Sequence, residues 1–183
     1  MHCLVFLDKL SGVYRTIPFL LMLLVAIAGC QTHTSIEPAQ VIGVQYFAGG
    51  ASKPLQAGDT ANIQLWVDYI EAHNKRDFEQ IAAMNAENFK GITPLGEVVR
   101  GSEAQAAFLR TWVEVEDPRW TVWWVIPNSG ENEEGVVEEW LATGNIITTV
   151  GSDGSAKKSY ETIDVLIENG KIRLLNVASQ AMP

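Results

Sequence analysis

Trp66-Val67-Asp68-Tyr69-Ile70-Glu71-Ala72-His73-Asn74-Lys75-Arg76-Asp77-Phe78 is the stretch from which the rest of the chain can be placed. Ile63, Trp66, Val67 and Ile70 recur at helical spacing, and Asp59 or Thr60 can cap the helix they define. That helix is expected to end near Asn74. Asp77 then caps a second, short helix with Phe78, Ile81, Ala82 and Met84 on one face.

Downstream, Phe89 to Val99 reads as two short extended pieces around a turn at Pro94-Leu95-Gly96. Ser102 starts a third helix and Gln105 completes a capping box, with Phe108, Leu109 and Trp112 as the buried face. The remainder is strand-like. Trp120 to Ile126 is aromatic and β-branched, Pro127 to Gly135 reads as a polar loop, and Val136 to Val150 is a long strand with Gly144 at a bulge or bend. Asp153-Gly154 and Asn169-Gly170 are hairpin turns that set off strands over Ser159 to Ile167 and Lys171 to Ser179. Three helices followed by consecutive hairpin strands predict an α+β domain, helices packed on one face of a curved antiparallel sheet.

Upstream, residues 30–58 read as a tether. Gln31 to Ser35 is polar, and Pro38, Gly49, Gly50 and Pro54 interrupt regular structure. Val41 to Phe47 is apolar enough to form a strand or to dock on the domain at 59–183. Residues 1–29 have the layout of a signal peptide. Lys9 and Arg15 precede an apolar run from Ile17 to Ala28, shorter than the ~20 residues that span a bilayer. The run ends in Ile27-Ala28-Gly29-Cys30, which resembles the lipobox of bacterial lipoproteins. That resemblance implies cleavage before Cys30 and acylation of its thiol. Asp8 departs from a purely basic start, and an uncleaved anchor or a signal cut elsewhere are the alternatives. Gln31, where an aspartate would favour inner-membrane retention, points to the outer membrane facing the periplasm.

Removing 29 of the 183 residues leaves 154, enough for one domain. Cys3 departs with the signal and Cys30 would be acylated, so no disulfide is expected. Loss of Asp8, Lys9 and Arg15 takes the net charge from −9 to −10, which disfavours nucleic acid and anionic lipid as partners.

The order of elements and several particular residues resemble the nuclear transport factor 2-like superfamily, and within it the SnoaL-like group, over about residues 59 to 180. The resemblance is carried by the quoted stretch, by Arg100-Gly101-Ser102, and by Ile163-Asp164-Val165 leading into Glu168-Asn169-Gly170-Lys171-Ile172. It implies a cone-shaped fold that encloses a pocket, often in a homodimer.

Ketosteroid isomerase, a well-known enzyme of this fold, needs a carboxylate base and an oxyanion site of a tyrosine and a protonated aspartate. The resemblance places Tyr69 and Asp164 at the oxyanion positions and Thr93 at the position of the base. Threonine takes no proton from carbon at neutral pH, so the isomerase reaction is disfavoured. Tyr69 and Asp164 remain candidates for a polar anchor, or for groups that merely satisfy one another.

Alternation puts Trp120 and Trp124 on one sheet face and Trp123 on the other, where it is the candidate interfacial aromatic. The tentative pocket set is therefore Trp66, Tyr69, Trp112, Trp124 and Asp164. His73, near the end of the first helix, suits its C-terminal dipole as a cation and is a secondary candidate base. The histidines lack metal-ligand spacing, and Glu131, Glu133, Glu134, Glu138 and Glu139 form an acidic run whose first three members read as a solvated loop, with weak calcium binding as the alternative. No phosphate-cradling loop, nucleophile elbow or nucleotide motif occurs, so no cofactor is expected. The expected function is binding of a small hydrophobic ligand, or dimeric interaction, by a lipid-anchored domain. The alternative is a small isomerase, cyclase or lyase using Tyr69 and Asp164.

Overall fold

A computed structural model describes residues 40–151 and 153–183; the signal sequence and Cys30 lie outside them. The quoted stretch forms α1 (Ala61–Lys75) and opens α2 (Phe78–Met84). Asp59 receives the Ala61 N–H at 2.8 Å, and the Asp77 carboxylate receives the Gln80 N–H at 2.9 Å, so both helices start on the acids expected. Between them Arg76 turns the chain in the left-handed region, at φ 62°.

The other elements are β1 (Val41–Tyr46), β2 (Ser52–Ala57), β3 (Asn85–Ile92), β4 (Val98–Arg100), α3 (Ser102–Glu116), β5 (Arg119–Glu131), β6 (Val137–Val150), β7 (Ala156–Glu168) and β8 (Lys171–Ala181). They make one eight-stranded sheet in the order β1-β2-β5-β6-β7-β8-β3-β4. Two expectations change here. The sheet is mixed, because β3 runs parallel to β8. Val41–Tyr46 is the strand that its apolar residues allowed, but it belongs to a hairpin over residues 41–57 that joins the sheet, so this part of the expected tether is not a spacer: Gln56 and Ala57 pair with Ser129 and Asn128 of β5. Close approach is possible because Gly58 has no side chain; a Cβ there would lie 2.7 Å from the Asn128 backbone nitrogen. The segment from Pro127 to Glu131, expected as loop, is the second half of β5 and pairs with β6 as far as Val137.

Period-2 alternation sends one side of the long strands to the core. Leu141, Ile147, Ile163, Val165, Ile167, Ile172 and Leu175 pack there against Trp66, Ile70, Ile81, Phe89 and Leu109 from the helices and β3. On β5 the alternation breaks at Trp123, which has no partner, while Val122 faces Asn145 and Trp124 faces Gly144. This bulge moves Trp124 to the outer face, so Trp120 and Trp124 do not share a side. The Trp124 indole lies over Gly144 and donates to the Tyr160 hydroxyl at 3.1 Å. Gly144 is thus a flat seat for an indole, and the irregularity expected of it falls on its partner strand.

Two polar ties fix the helices to the sheet. The Asn74 side chain pairs with the Trp120 backbone through two hydrogen bonds, at 2.8 and 2.9 Å, as a strand would. Deeper, Tyr69 Oη donates to Asn85 at 3.0 Å, Asn85 donates to Gln105, and Gln105 donates back to Tyr69 at 2.7 Å. The ring closes α1, β3 and α3 on one another. Gln105 is therefore not the second half of a capping box; α3 is capped at Gly101 without a side-chain bond. Asn85→Leu should leave the Tyr69 O–H proton and the Gln105 carbonyl without partners, at a cost of about 2–4 kcal/mol. Asp164→Asn should move stability by less than about 0.5 kcal/mol. Urea unfolding of the two variants checks both; equal effects would remove the ring from its structural role.

Candidate functional site

The helices roof a cavity of about 450 Å³ above the inner face of β5 to β8. Trp66, Tyr69 and Trp112 from the expected pocket set line it, together with Ile70, Leu109 and Val177. The other two members do not. Trp124 is carried to the outer face by the bulge. Asp164 faces Ala142 and Asn176 on the outer side of the sheet and is exposed, because Ile163 and Val165 on either side of it point into the core. Tyr69 and Asp164 therefore form no oxyanion site. Burial raises the pKa of Tyr69, and its hydroxyl is held by Gln105 and Asn85.

The buried acid is Glu161, two alternations before Val165 on the inward side of β7 and 5% exposed. Trp120 Nε1 donates to it at 2.9 Å. Burial pushes the Glu161 carboxyl above the usual range, and the indole N–H only partly offsets that. The signal for Glu161 was present in the sequence: the Ile163–Val165–Ile167 alternation, continued backward, reaches it and excludes Asp164.

His73 lies one turn after Tyr69 on the same face of α1, its ring 4.5 Å from the Tyr69 ring and 5.6 Å from that of Trp120. It is buried, and so is not the cation that would suit the helix dipole. Nδ1 is 2.8 Å from the Tyr69 carbonyl oxygen, which can only accept, so Nδ1 carries the proton and Nε2 is an acceptor. Burial, reinforced by the nearby Arg76 charge and opposed by the Tyr69 carbonyl, lowers its pKa to about 4, so the imidazole is neutral at pH 7. The one side-chain hydrogen bond of His73 among the described residues is made by Nδ1, which leaves Nε2 without a protein partner.

Around these groups the wall is aromatic. Trp112 meets Trp120 edge to face at 5.4 Å, and Trp112 Nε1 donates to Glu116 at 2.9 Å. Trp66 Nε1 donates to the buried Asn145 at 3.3 Å, and Asn145 donates to Thr143. Thr93, at the position of the isomerase base, does reach the cavity, but its hydroxyl accepts the Glu97 N–H within the β3–β4 turn. Trp123 stands on the outer face, 66% exposed, as the alternation expected. Among the described residues no three His, Cys, Asp or Glu side chains converge as a metal site.

The fold recurs in solved structures. An NTF2-like protein of unknown function from Burkholderia pseudomallei superposes with a TM-score of 0.54 at 17% identity, over 67% of this chain and 92% of that one. A Mycobacterium tuberculosis LEH-like epoxide hydrolase gives 0.52 at 15% identity, over 66% and 84%. A second Mycobacterium tuberculosis protein, in complex with estradiol-17beta-hemisuccinate, gives 0.50 at 14% identity, over 63% and 90%. At these identities the likeness is one of fold. No curated protein sequence matches the chain. Residues 66–174 match the SnoaL-like domain family, a span that starts at Trp66 of α1 and ends within β8, and the chain belongs to that family.

Proposed function

We propose that this protein binds a small, largely hydrophobic molecule in the cavity under α1 and α3, and does so while anchored to the bacterial envelope through lipid on Cys30. The observation that carries the binding reading is an open cavity of about 450 Å³ walled by tryptophans and aliphatic side chains, with His73 and Glu161 among the polar groups that line it. That a fold neighbour holds estradiol-17beta-hemisuccinate supports a ligand of this general kind. The outer face of β5, where Trp123 and Ile126 are exposed, is the surface we assign to a second copy of the chain.

One observation favours a second reading. A neutral imidazole with Nε2 open to an apolar cavity is poised to accept a proton, and Glu161, held toward its protonated form, could return one. An isomerase, cyclase or lyase built this way would use His73 and Glu161 in place of Tyr69 and Asp164.

Three outcomes are expected. Native mass spectrometry of protein purified from its host should show a small organic molecule retained on a dimer; an empty monomer overturns both assignments. Metabolic labelling with an alkyne palmitate should mark the wild-type protein and not Cys30→Ser, which should leave the membrane fraction. Persistent membrane association of the unlabelled variant would sink the anchor. For His73 the folded-state pKa lies below the ordinary value of 6.5, so the unfolded chain takes up the proton first. Stability present above pH 6.5 should be lost as pH falls toward 4, by up to roughly 3 kcal/mol more in wild type than in His73→Asn. Glu161 acts in the opposite direction but is common to both proteins. Coincident pH profiles in urea unfolding would show that the imidazole is not a buried neutral base.

A further inference from the structure

The charge around the cavity has one sign. Glu97, Glu116 and Glu161 line it, and no lysine or arginine does. The guanidiniums nearest the buried end are engaged elsewhere. Arg76 and Arg119 share Asp117 and donate to backbone carbonyls, and Arg110 lies over the Phe78 ring at 4.7 Å. None of the ion pairs among the described residues involves Glu116 or Glu161.

The aromatic wall has spent its hydrogen-bond donors within the protein. Each indole N–H of the wall is already donated, Trp66 to Asn145, Trp112 to Glu116 and Trp120 to Glu161. The Tyr69 hydroxyl donates to Asn85, and His73 Nδ1–H to a carbonyl. Nε2 of His73 and the Oε1 atoms of Glu116 and Glu161 have no protein partner at this end, while the hydroxyls of Thr149, Ser159 and Ser179, which can donate or accept, line the strand side of the cavity. An imidazole nitrogen in this tautomer accepts, and so does a carboxylate oxygen. Between them stand two indoles at right angles, whose ring faces carry negative quadrupole.

Resting on the binding reading above, we propose that the ligand is a hydrophobic organic cation, an ammonium group on a compact apolar body. The charge would sit against Trp112 and Trp120, between Glu116 and Glu161, with the apolar body toward Ile70, Leu109 and Val177. Chemistry supports this from both sides. Glu161 is buried with no cation paired to it among the described residues, and a bound ammonium would hold it in its charged form. A cation entering an apolar site needs acceptors and aromatic faces to replace its water, and the site has both. An anionic ligand of the same shape would meet three carboxylates and no cation.

Three molecules with one adamantane cage test this: 1-adamantylamine, 1-adamantanol and 1-adamantanecarboxylate, titrated calorimetrically into the purified protein at pH 7. The amine should bind roughly tenfold or more tighter than the alcohol, and the carboxylate weakest of all. Glu161→Gln, which keeps an acceptor for Trp120, should lower the amine-to-alcohol ratio roughly tenfold; Glu116→Gln gives an independent reading should that variant misfold. Alcohol binding as tight as amine binding, or a preference for the carboxylate, overturns the cation assignment and leaves the hydrophobic-ligand reading standing. Absence of binding by all three removes both.

Discussion

A closed ring of three hydrogen bonds, Tyr69 to Asn85 to Gln105 and back, is the constraint on which the site depends. Each member sits on a different element, and each element is buried where the ring forms. An unpaired amide or hydroxyl in that position is costly, so the three side chains hold α1, β3 and α3 in one mutual arrangement. Once α1 is held there, Trp66 and His73, a turn before and after Tyr69, face the sheet. Once α3 is held there, Leu109 and Trp112 form the other side of the roof. The cavity is the space that this arrangement leaves above the strands.

Strand register decides what chemistry faces that space. On β7 the inward residues are Glu161, Ile163, Val165 and Ile167, and Asp164 is on the outer side for the same reason that Val165 is buried. On β5 one unpaired residue at Trp123 inverts the pattern, so a tryptophan near the middle of the strand is lost to the outer face while Trp120 stays within. A one-residue difference in either strand would have exchanged the buried acid and the buried indole for other side chains.

The cavity so formed combines low dielectric with groups that prefer neutrality. Burial holds the imidazole of His73 unprotonated and favours the protonated form of Glu161. The indole N–H groups stabilise carboxylates without neutralising them. The result is an aromatic space lined by three acidic side chains and no basic one, and this combination restricts the ligands it suits more sharply than its volume does.

Much of the fold was legible in the amino-acid sequence. Helical spacing around Trp66, acids at Asp59 and Asp77, and turn dipeptides at Asp153-Gly154 and Asn169-Gly170 report local preferences that tertiary packing did not override. Membership of the SnoaL-like family was legible for the same reason, since its signature is a succession of such elements. What could not be read locally were the features that depend on a partner distant in sequence. The parallel pairing of β3 with β8, the hairpin joined to β5 and the bulge at Trp123 are properties of pairs of strands. The fate of Gln105 is another case: as a local residue it suits a cap, but Tyr69 and Asn85 offered it a buried ring instead. Glu161 lies between the two. Its inward parity is written in the sequence, but the indole of Trp120 that makes it a site residue comes from 41 positions away and is brought to it only by the pairing of β5 and β7 with β6.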